Sequence, residues 1–359
     1  MAKPHAAAVL EDRWTSVKGA VLRRRGYSQR VVCFPGYGAT AHVRVLARVV
    51  LAKKPARSGP GVHIPNTRAL GGRRGWRSFF TTPAMNAVVT VTVGERTVTA
   101  RTDRNGILDL VVADHHLPPG WHEAHLRLSN GVEAAAPVLV VSDDTTFGLV
   151  SDIDDTVIKT MLPRPLIAAW NTFVRHQGAR SAVPGMATLY RDLLDAHPGA
   201  PVLYVSTGAW NTVPTLTEFL ADKGYPRGPL LMTDWGPTNT GWFRSGQDHK
   251  RACLHRLARE LPRISWVLVG DDGQHDPTIY SEFAEQRPEK VRAIAIRRLS
   301  ATEQMLSHFT PLATDELGPR RRARAPVPVC RASDGWGLAR LLHVALDGSP
   351  VPGDVVVEN

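Results

Sequence analysis

The sequence predicts a mixed α/β chain in which a small antiparallel β-sandwich-like domain precedes a parallel sheet with crossover helices. Three observations predict it. Val88–Val93 (VVTVTV) alternates at period two in mostly β-branched residues, the pattern of a half-buried strand. From Phe147 onward, short apolar runs alternate with amphipathic stretches of helical period, the order of a parallel sheet. The chain has 359 residues, 43% apolar and 21% charged, the composition of a folded protein with room for two domains.

In the first part, Thr97–Arg101 and Ile107–Val112 flank the turn Asp103-Arg104-Asn105-Gly106 and read as a hairpin, because Asn and Gly accept positive φ. Ala124–Leu128 and Val138–Val141 add strands. Leu110 with Val112, and Leu126 with Leu128, place apolar side chains on one face. Between Lys53 and Arg77 the chain is rich in Gly, Pro and Arg and reads as a long mobile loop. Pro35-Gly36-Tyr37-Gly38 lacks the ending of a nucleotide-binding loop and reads as a turn.

In the second part the strands are Phe147–Ser151, Val202–Ser206, Leu230–Thr233, Trp266–Gly270 and Val291–Ile296. Helices fill Pro165–His176, Met186–Ala196, Val213–Lys223, His249–Leu261 and Asp276–Gln286. The chain closes with the basic run Pro319–Arg324 and a helix near Trp336–Leu346. The expected organisation is therefore a basic β-rich domain over 1–145, an α/β domain over 146–312, and an Arg-containing linker with a C-terminal helix over 313–359.

The net charge of +11 is unevenly placed. Residues 1–150 hold 20 Lys/Arg against 10 Asp/Glu, whereas residues 151–312 hold 18 against 17. A basic first segment can attract anionic lipid, nucleic acid or an acidic protein, and charge alone does not choose. No apolar stretch reaches the roughly 20 residues needed to cross a bilayer. Glu11 and Asp12 interrupt the start too early for a signal peptide. The expected location is the cytoplasm, with peripheral attachment to a membrane left open. Three widely spaced cysteines suggest neither a disulfide framework nor a zinc site.

Ligands of parallel sheets bind beyond the carboxyl ends of the strands, so the polar residues there are the place to look for chemistry. The sharpest string is Ser151-Asp152-Ile153-Asp154-Asp155-Thr156. Residues two apart in a strand share a face, so Asp152 and Asp154 can meet one substrate. Like charges this close need a cation or a proton, and oxygen ligands suit Mg²⁺. The alternative is an acidic cap before a helix. Ser206 ends the next strand and offers a hydroxyl to a phosphoryl oxygen. Lys250, near the start of a helix, can offset the carboxylates. Asp271 and Asp276 form a second acidic cluster after a strand and can complete a metal shell.

This set resembles the four motifs of the haloacid dehalogenase superfamily: DxDxT (Asp152, Asp154, Thr156), Ser206, Lys250, and GDxxxxD (Asp271, Asp276). Within it, Asp152–Lys159 (DIDDTVIK) and Gly270–Tyr280 (GDDGQHDPTIY) are similar to the actin-patch-associated phosphatidate phosphatase family and its bacterial relatives. The likeness covers about residues 145–310 and extends more weakly through Pro35–Gly38 and Thr90–Gly106. Two departures stand out: Ser206-Thr207-Gly208-Ala209-Trp210 where relatives tend to have SNSPW, and Gly270-Asp271-Asp272-Gly273 where GDSG is usual. Asp272 is expected to add charge beside the metal, and Thr207 to alter the leaving-group pocket.

The resemblance implies a Rossmannoid parallel sheet with a minimal cap, since only about 50 residues separate Thr156 from Ser206. It implies Asp152 as nucleophile and Asp154 as general acid and base. Mg²⁺ would be held by Asp152, the Asp154 carbonyl and Asp271, with Asp276 as a further candidate. Thr156, Ser206 and Lys250 would hold phosphoryl oxygens. The expected activity is Mg²⁺-dependent hydrolysis of a phosphate monoester, foremost phosphatidate to diacylglycerol. The expected partner is an anionic phospholipid or membrane surface; nucleic acid is not expected, and protein partners are left open. The alternatives are a phosphatase of nucleic-acid ends or sugar phosphates, and an inactive protein that binds anionic lipid. Met161–Trp170 reads as a lipid-facing lip or as core. His122-Glu123-Ala124-His125 lacks metalloprotease spacing, and with His115 and His116 reads as surface histidines near a hairpin.

Overall fold

A computed structural model of the chain describes Gly19, Val21, Leu22 and residues 24–53, 82–159, 181–233, 246–273, 275–308 and 326–347. Outside these fall the glycine- and arginine-rich stretch 54–77, the expected helix 165–176, the stretch 161–170 and the basic run 319–324. The described residues form two compact units, one up to Asp143 joined by Gly208–Pro214 and the segment starting at Thr233, the other from the remainder. No helix among the described residues is long and apolar enough to cross a membrane.

The first unit is one curled sheet. Its strands are β1 (Tyr27–Ala39), β2 (His42–Lys53), β3 (Thr82–Pro83), β4 (Val88–Val93), β5 (Arg96–Arg101), β6 (Ile107–Ala113), β7 (Gly120–Leu128) and β8 (Glu133–Val141). The order is β3-β2-β1-β8-β7-β4-β5, with β6 paired to β2. β1 and β8 run parallel, while β1–β2, β2–β3, β2–β6, β4–β5, β4–β7 and β7–β8 are antiparallel. In β4, Val89, Val91 and Val93 are buried and alternate with half-buried partners, as period two demands. They pack with Val43, Val45, Leu108, Leu126 and Val138 in a single apolar core.

Two expectations for this unit are corrected. The turn at Asp103 exists: its Oδ1 accepts from the amides of Asn105 (2.9 Å) and Ile107 (2.7 Å). Yet it does not join a hairpin. β5 pairs with β4 across the two-residue turn Gly94-Glu95, and β6 crosses to β2, with Ile107 opposite Arg48. Local turn chemistry reverses the chain; core burial selects the partner strand. Pro35–Gly38 is likewise no turn between elements. It lies inside β1, where the register against β2 shifts between Phe34 and Tyr37. A bulge of this kind accommodates a proline within a sheet. A side chain at Gly36 would collide with the carbonyl oxygen of Arg44 on β2.

The second unit, leaving aside Gly208–Pro214 and Thr233, which group with the first, is built from β9 (Phe147–Asp152), α1 (Met186–Asp195), β10 (Val202–Ala209), α2 (Val213–Asp222), β11 (Leu230–Thr233) and α3 (Gly246–Glu260). It continues with β12 (Ser265–Asp271), α4 (Asp276–Gln286), β13 (Val291–Arg297), α5 (Ala301–His308), β14 (Val329–Ala332) and α6 (Gly335–Leu346). The sheet order is β11-β10-β9-β12-β13-β14. The pairs β9–β10, β9–β12, β12–β13 and β13–β14 are all parallel.

β9 is buried at every position, as a central strand of a parallel sheet must be. α1 buries Met186, Leu189, Tyr190 and Leu193, the i, i+3, i+4, i+7 stripe of a helix covering a core. α4 packs on β12 and β13, and α6 on β13 and β14. The segment after residue 312 contributes the expected helix and also an unexpected strand, β14, which extends the parallel sheet. Val329–Ala332 is too short to signal a strand by itself.

Candidate active site

β9, β10 and β12 are neighbours, and their carboxyl-terminal ends carry Asp152, Ser206 and Asp271. The register places Val205 opposite Asp152 and Val269 opposite Ser151, so Asp152, Ser206 and Asp271 stand at nearly one level. Immediately after β9 the backbone turns tightly. Asp155 sits at φ 58, and its amide donates to the carbonyl of Ile158 at 2.8 Å. This turn carries Asp154 and Thr156 back toward the strand tip. Thr156 Oγ1 donates to Asp152 Oδ2 at 3.3 Å, and Ser206 Oγ donates to Asp154 Oδ2 at 3.3 Å.

Lys250 lies in the second turn of α3 and is buried. Its ammonium stands 2.7 Å from Asp152 Oδ1 and 2.5 Å from Asp276 Oδ1. Asp276 opens α4, where a helix N-terminus favours negative charge. It can approach β12 because residue 270 is glycine: a Cβ there would stand 2.5 Å from Asp276 Oδ2. Asp271 Oδ1 accepts from the amide of Gly273 at 2.8 Å.

One oxygen from each of Asp152, Asp271 and Asp276 lies within 4.8 Å of the others, and all three residues are buried. Asp271 Oδ2 and Asp276 Oδ2 have no hydrogen-bond partner among the described residues. Burial pushes the Asp152 carboxyl up to about 8, aided by Asp276 and Asp154 and opposed by Lys250. Burial, with Asp276 and Asp152, raises Asp271 well above the carboxylate range. Burial alone would lower Lys250, but Asp152, Asp276 and Asp271 hold it above its ordinary value. One ammonium does not balance three buried carboxylates. The donor set, all oxygen with two unused acceptors, fits a hard divalent cation.

The Asp154 side chain accepts from Ser206, and its charge acts on Asp152. Asp272, expected to add charge beside a metal, is instead turned to the backbone: its Oδ1 accepts from the amide of Leu299 at 2.8 Å. Of the histidines expected at the surface, His116 and His125 are exposed and one is corrected. His115 is fully buried, with Nε2 3.0 Å from the carbonyl of Ala39 and Nδ1 accepting from the amide of Leu117 at 3.0 Å.

Two buried residues escaped the sequence reading. Tyr190 of α1 shares a 2.5 Å hydrogen bond with Ser151, whose hydroxyl donates to the Asp152 carbonyl. Arg297 ends β13 and donates to the carbonyl of Asp155 at 2.6 Å. The one signal for Arg297 is a charge closing an otherwise apolar strand beside other functional strand ends.

Residues 147–298 match the family model of the catalytic domain of phosphatidate phosphatase APP1. Over this segment the chain is similar to that catalytic-domain family. The chain is 27% identical over 151 residues to phosphatidate phosphatase APP1 of Saccharomyces cerevisiae, covering 42% of this chain and 25% of that protein. It is 28% identical over 175 residues to an uncharacterized protein of Schizosaccharomyces pombe, covering 46% of this chain and 27% of that one. The chain thus spans about a quarter of the length of these curated relatives. Against the crystal structure of a carbohydrate acetylesterase from Xanthomonas citri, it aligns at TM-score 0.26 with 10% identity, over 79% of this chain and 72% of that one. A score of this size assigns neither fold nor function.

Proposed function

We propose that the chain is a Mg²⁺-dependent phosphatase of phosphate monoesters, foremost of phosphatidate, with a haloacid dehalogenase-like catalytic domain over 146–312 and a minimal cap. The observation that carries this reading is the buried Asp152–Asp271–Asp276 trio bridged by Lys250 at adjacent strand ends, within the segment matched to the APP1 catalytic domain.

In this reading Asp152 attacks phosphorus in line, the ester P–O bond breaks, and an aspartyl-phosphate forms. Asp154 gives its proton to the departing alkoxide, then removes one from the water that hydrolyses the intermediate. Ser206, within hydrogen-bond reach of Asp154, and Thr156, beside Asp152, hold phosphoryl oxygens with Lys250. Asp152, the Asp154 carbonyl and Asp271 would hold the cation, with Asp276 as a further ligand. When bound, the cation neutralises charge between nucleophile and phosphate, which would otherwise repel.

The basic segment 1–145 is the proposed docking region for an anionic membrane, and 313–359 a linker and helix. The proposed location is the cytoplasm or the face of a membrane.

The test is phosphate release from short-chain phosphatidate, a 5′-phosphorylated oligonucleotide and sugar phosphates, each with and without Mg²⁺. Mg²⁺-dependent release from phosphatidate, abolished in a folded Asp152→Asn variant, is the expected result. Undiminished turnover by Asp152→Asn would overturn the assignment. Faster release from the oligonucleotide or the sugar phosphates would move the substrate class. Liposome binding without turnover of any ester would leave only the lipid-binding role.

A further inference from the structure

We propose that Arg297 is a positioning residue for the reacting carboxylates, its guanidinium holding the turn after Asp152 in register with the turn after Asp271. This rests on the phosphatase reading above and names a part of the same site.

Arg297 is 2% exposed, a rare state for an arginine. All three of its guanidinium nitrogens are engaged. Nη1 donates to the carbonyl of Asp155 at 2.6 Å, Nη2 to Glu303 Oε1 at 2.7 Å, and Nε to the carbonyl of Ser333 at 3.2 Å. Its own carbonyl accepts from the amide of Asp272 at 3.0 Å. One residue therefore ties together the turn after β9, the turn after β12 and the turn before α6.

The first of these ties acts at a strained point. Asp155 holds φ 58, a conformation that is costly for a non-glycine residue and persists only where its surroundings fix it. A short charge-assisted bond to the Asp155 carbonyl is such a fixture. Asp155 lies directly between Asp154 and Thr156, so rotation there would swing both away from Asp152. The second tie fixes the backbone next to Asp271. Glu303 neutralises the guanidinium, and Arg297 contacts none of the reacting carboxylates among its described bonds. Its effect is on their geometry rather than their charge. A lysine would keep the charge but lose the planar fork that reaches three acceptors.

The experiment compares the full-length wild type with Arg297→Lys. It measures kcat and KM for phosphatidate and follows amide exchange by mass spectrometry. The expected result is a kcat lower by about 10–100-fold with KM nearly unchanged. Exchange should accelerate in the peptide spanning 152–159 while β9 and β12 keep their protection. A merely structural role would instead raise exchange across the whole unit and leave the kcat of the folded fraction intact.

Wild-type kcat together with unchanged exchange in 152–159 would overturn the proposal. Should Arg297→Lys fail to fold, Glu303→Gln, which keeps the arginine but loosens its fork, decides by the same two readings with a smaller expected loss. Should the wild type hydrolyse no ester, the phosphatase reading falls, and the exchange measurement still decides whether Arg297 clamps the turn.

Discussion

The ammonium of Lys250 lies 2.7 Å from Oδ1 of Asp152, and the two side chains are only 5% and 3% exposed. A buried ion pair is weak support for stability by itself, because desolvation offsets much of the attraction. Its removal on one side is another matter. Lys250→Met would leave Asp152, Asp271 and Asp276 facing one another with no cation between them. The expected loss is about 3–5 kcal/mol, read by urea unfolding at neutral pH in chelator, together with loss of phosphate release. A loss below about 1 kcal/mol would mean that the carboxylates already share protons and do not need the lysine.

A divalent cation should stabilise the folded chain in proportion to its occupancy of the acidic trio. Anything that binds the native state alone adds RT ln(1 + [L]/Kd), about 2.7 kcal/mol at a hundredfold excess over Kd. Mg²⁺ is therefore expected to raise the melting temperature, and a chelator to lower it. The shift should be lost in Asp271→Asn, which removes a carboxylate without changing the shape of the side chain. An Asp271→Asn variant that Mg²⁺ stabilises as strongly as wild type would place the ion elsewhere.

Gly36 gives a prediction independent of the chemistry. It sits in the β1 bulge, where any side chain meets the Arg44 carbonyl of β2. Gly36→Ala should destabilise the first unit by about 1–3 kcal/mol, the usual effect of overpacking a tight site. Calorimetry of the whole chain is the measurement, and an unchanged transition would show that the bulge can relax.

The contrast between the two units explains what could be read from the sequence. Phe147–Asp152 and Ser265–Asp271 are apolar runs stopped by carboxylates, and a parallel strand buried on both faces produces that pattern without reference to its neighbours. Asp152, Asp271 and Asp276 could be named as one site for this reason. β1 and β2 carry Arg30, Arg44 and Arg48 within their length, so their apolar face is masked, and neither strand was expected. β6 was expected as a strand but paired wrongly, because pairing depends on residues about sixty positions away. Arg297 was missed because its meaning lies in a bond to Asp155, across |i−j| = 142.

Glu303 should give the acid limb of stability a measurable component. Burial alone would raise its carboxyl, but hydrogen bonds from Arg297 and from the Ser300 amide hold it below its ordinary value. The folded value lies below the unfolded one, so the carboxylate's contribution is fully present above the unfolded value, near 4.5. It is lost as pH falls through the folded value. Glu303→Gln should therefore lie below wild type in stability at neutral pH and converge with it in acid. Parallel curves at all pH values would show that Glu303 acts through packing alone.

Asp272 follows Asp271 directly, and its bonds decide what its charge does. Its Oδ1 accepts from the Leu299 amide at 2.8 Å and its own amide donates to the Arg297 carbonyl at 3.0 Å, so the residue fastens the exit of β13 to the turn after β12. Arg331 and Arg298 offset its charge, while burial still raises its carboxyl. A side chain held this way contributes through one hydrogen bond to a backbone donor, worth about 0.5–1.5 kcal/mol net. Asp272→Ser shortens the reach to Leu299 but keeps the backbone bond to Arg297. It should lower stability by about 1 kcal/mol while leaving Mg²⁺ binding as in wild type. A marked change in Mg²⁺ affinity would return Asp272 to the metal site and reverse the reading that its carboxylate serves the backbone.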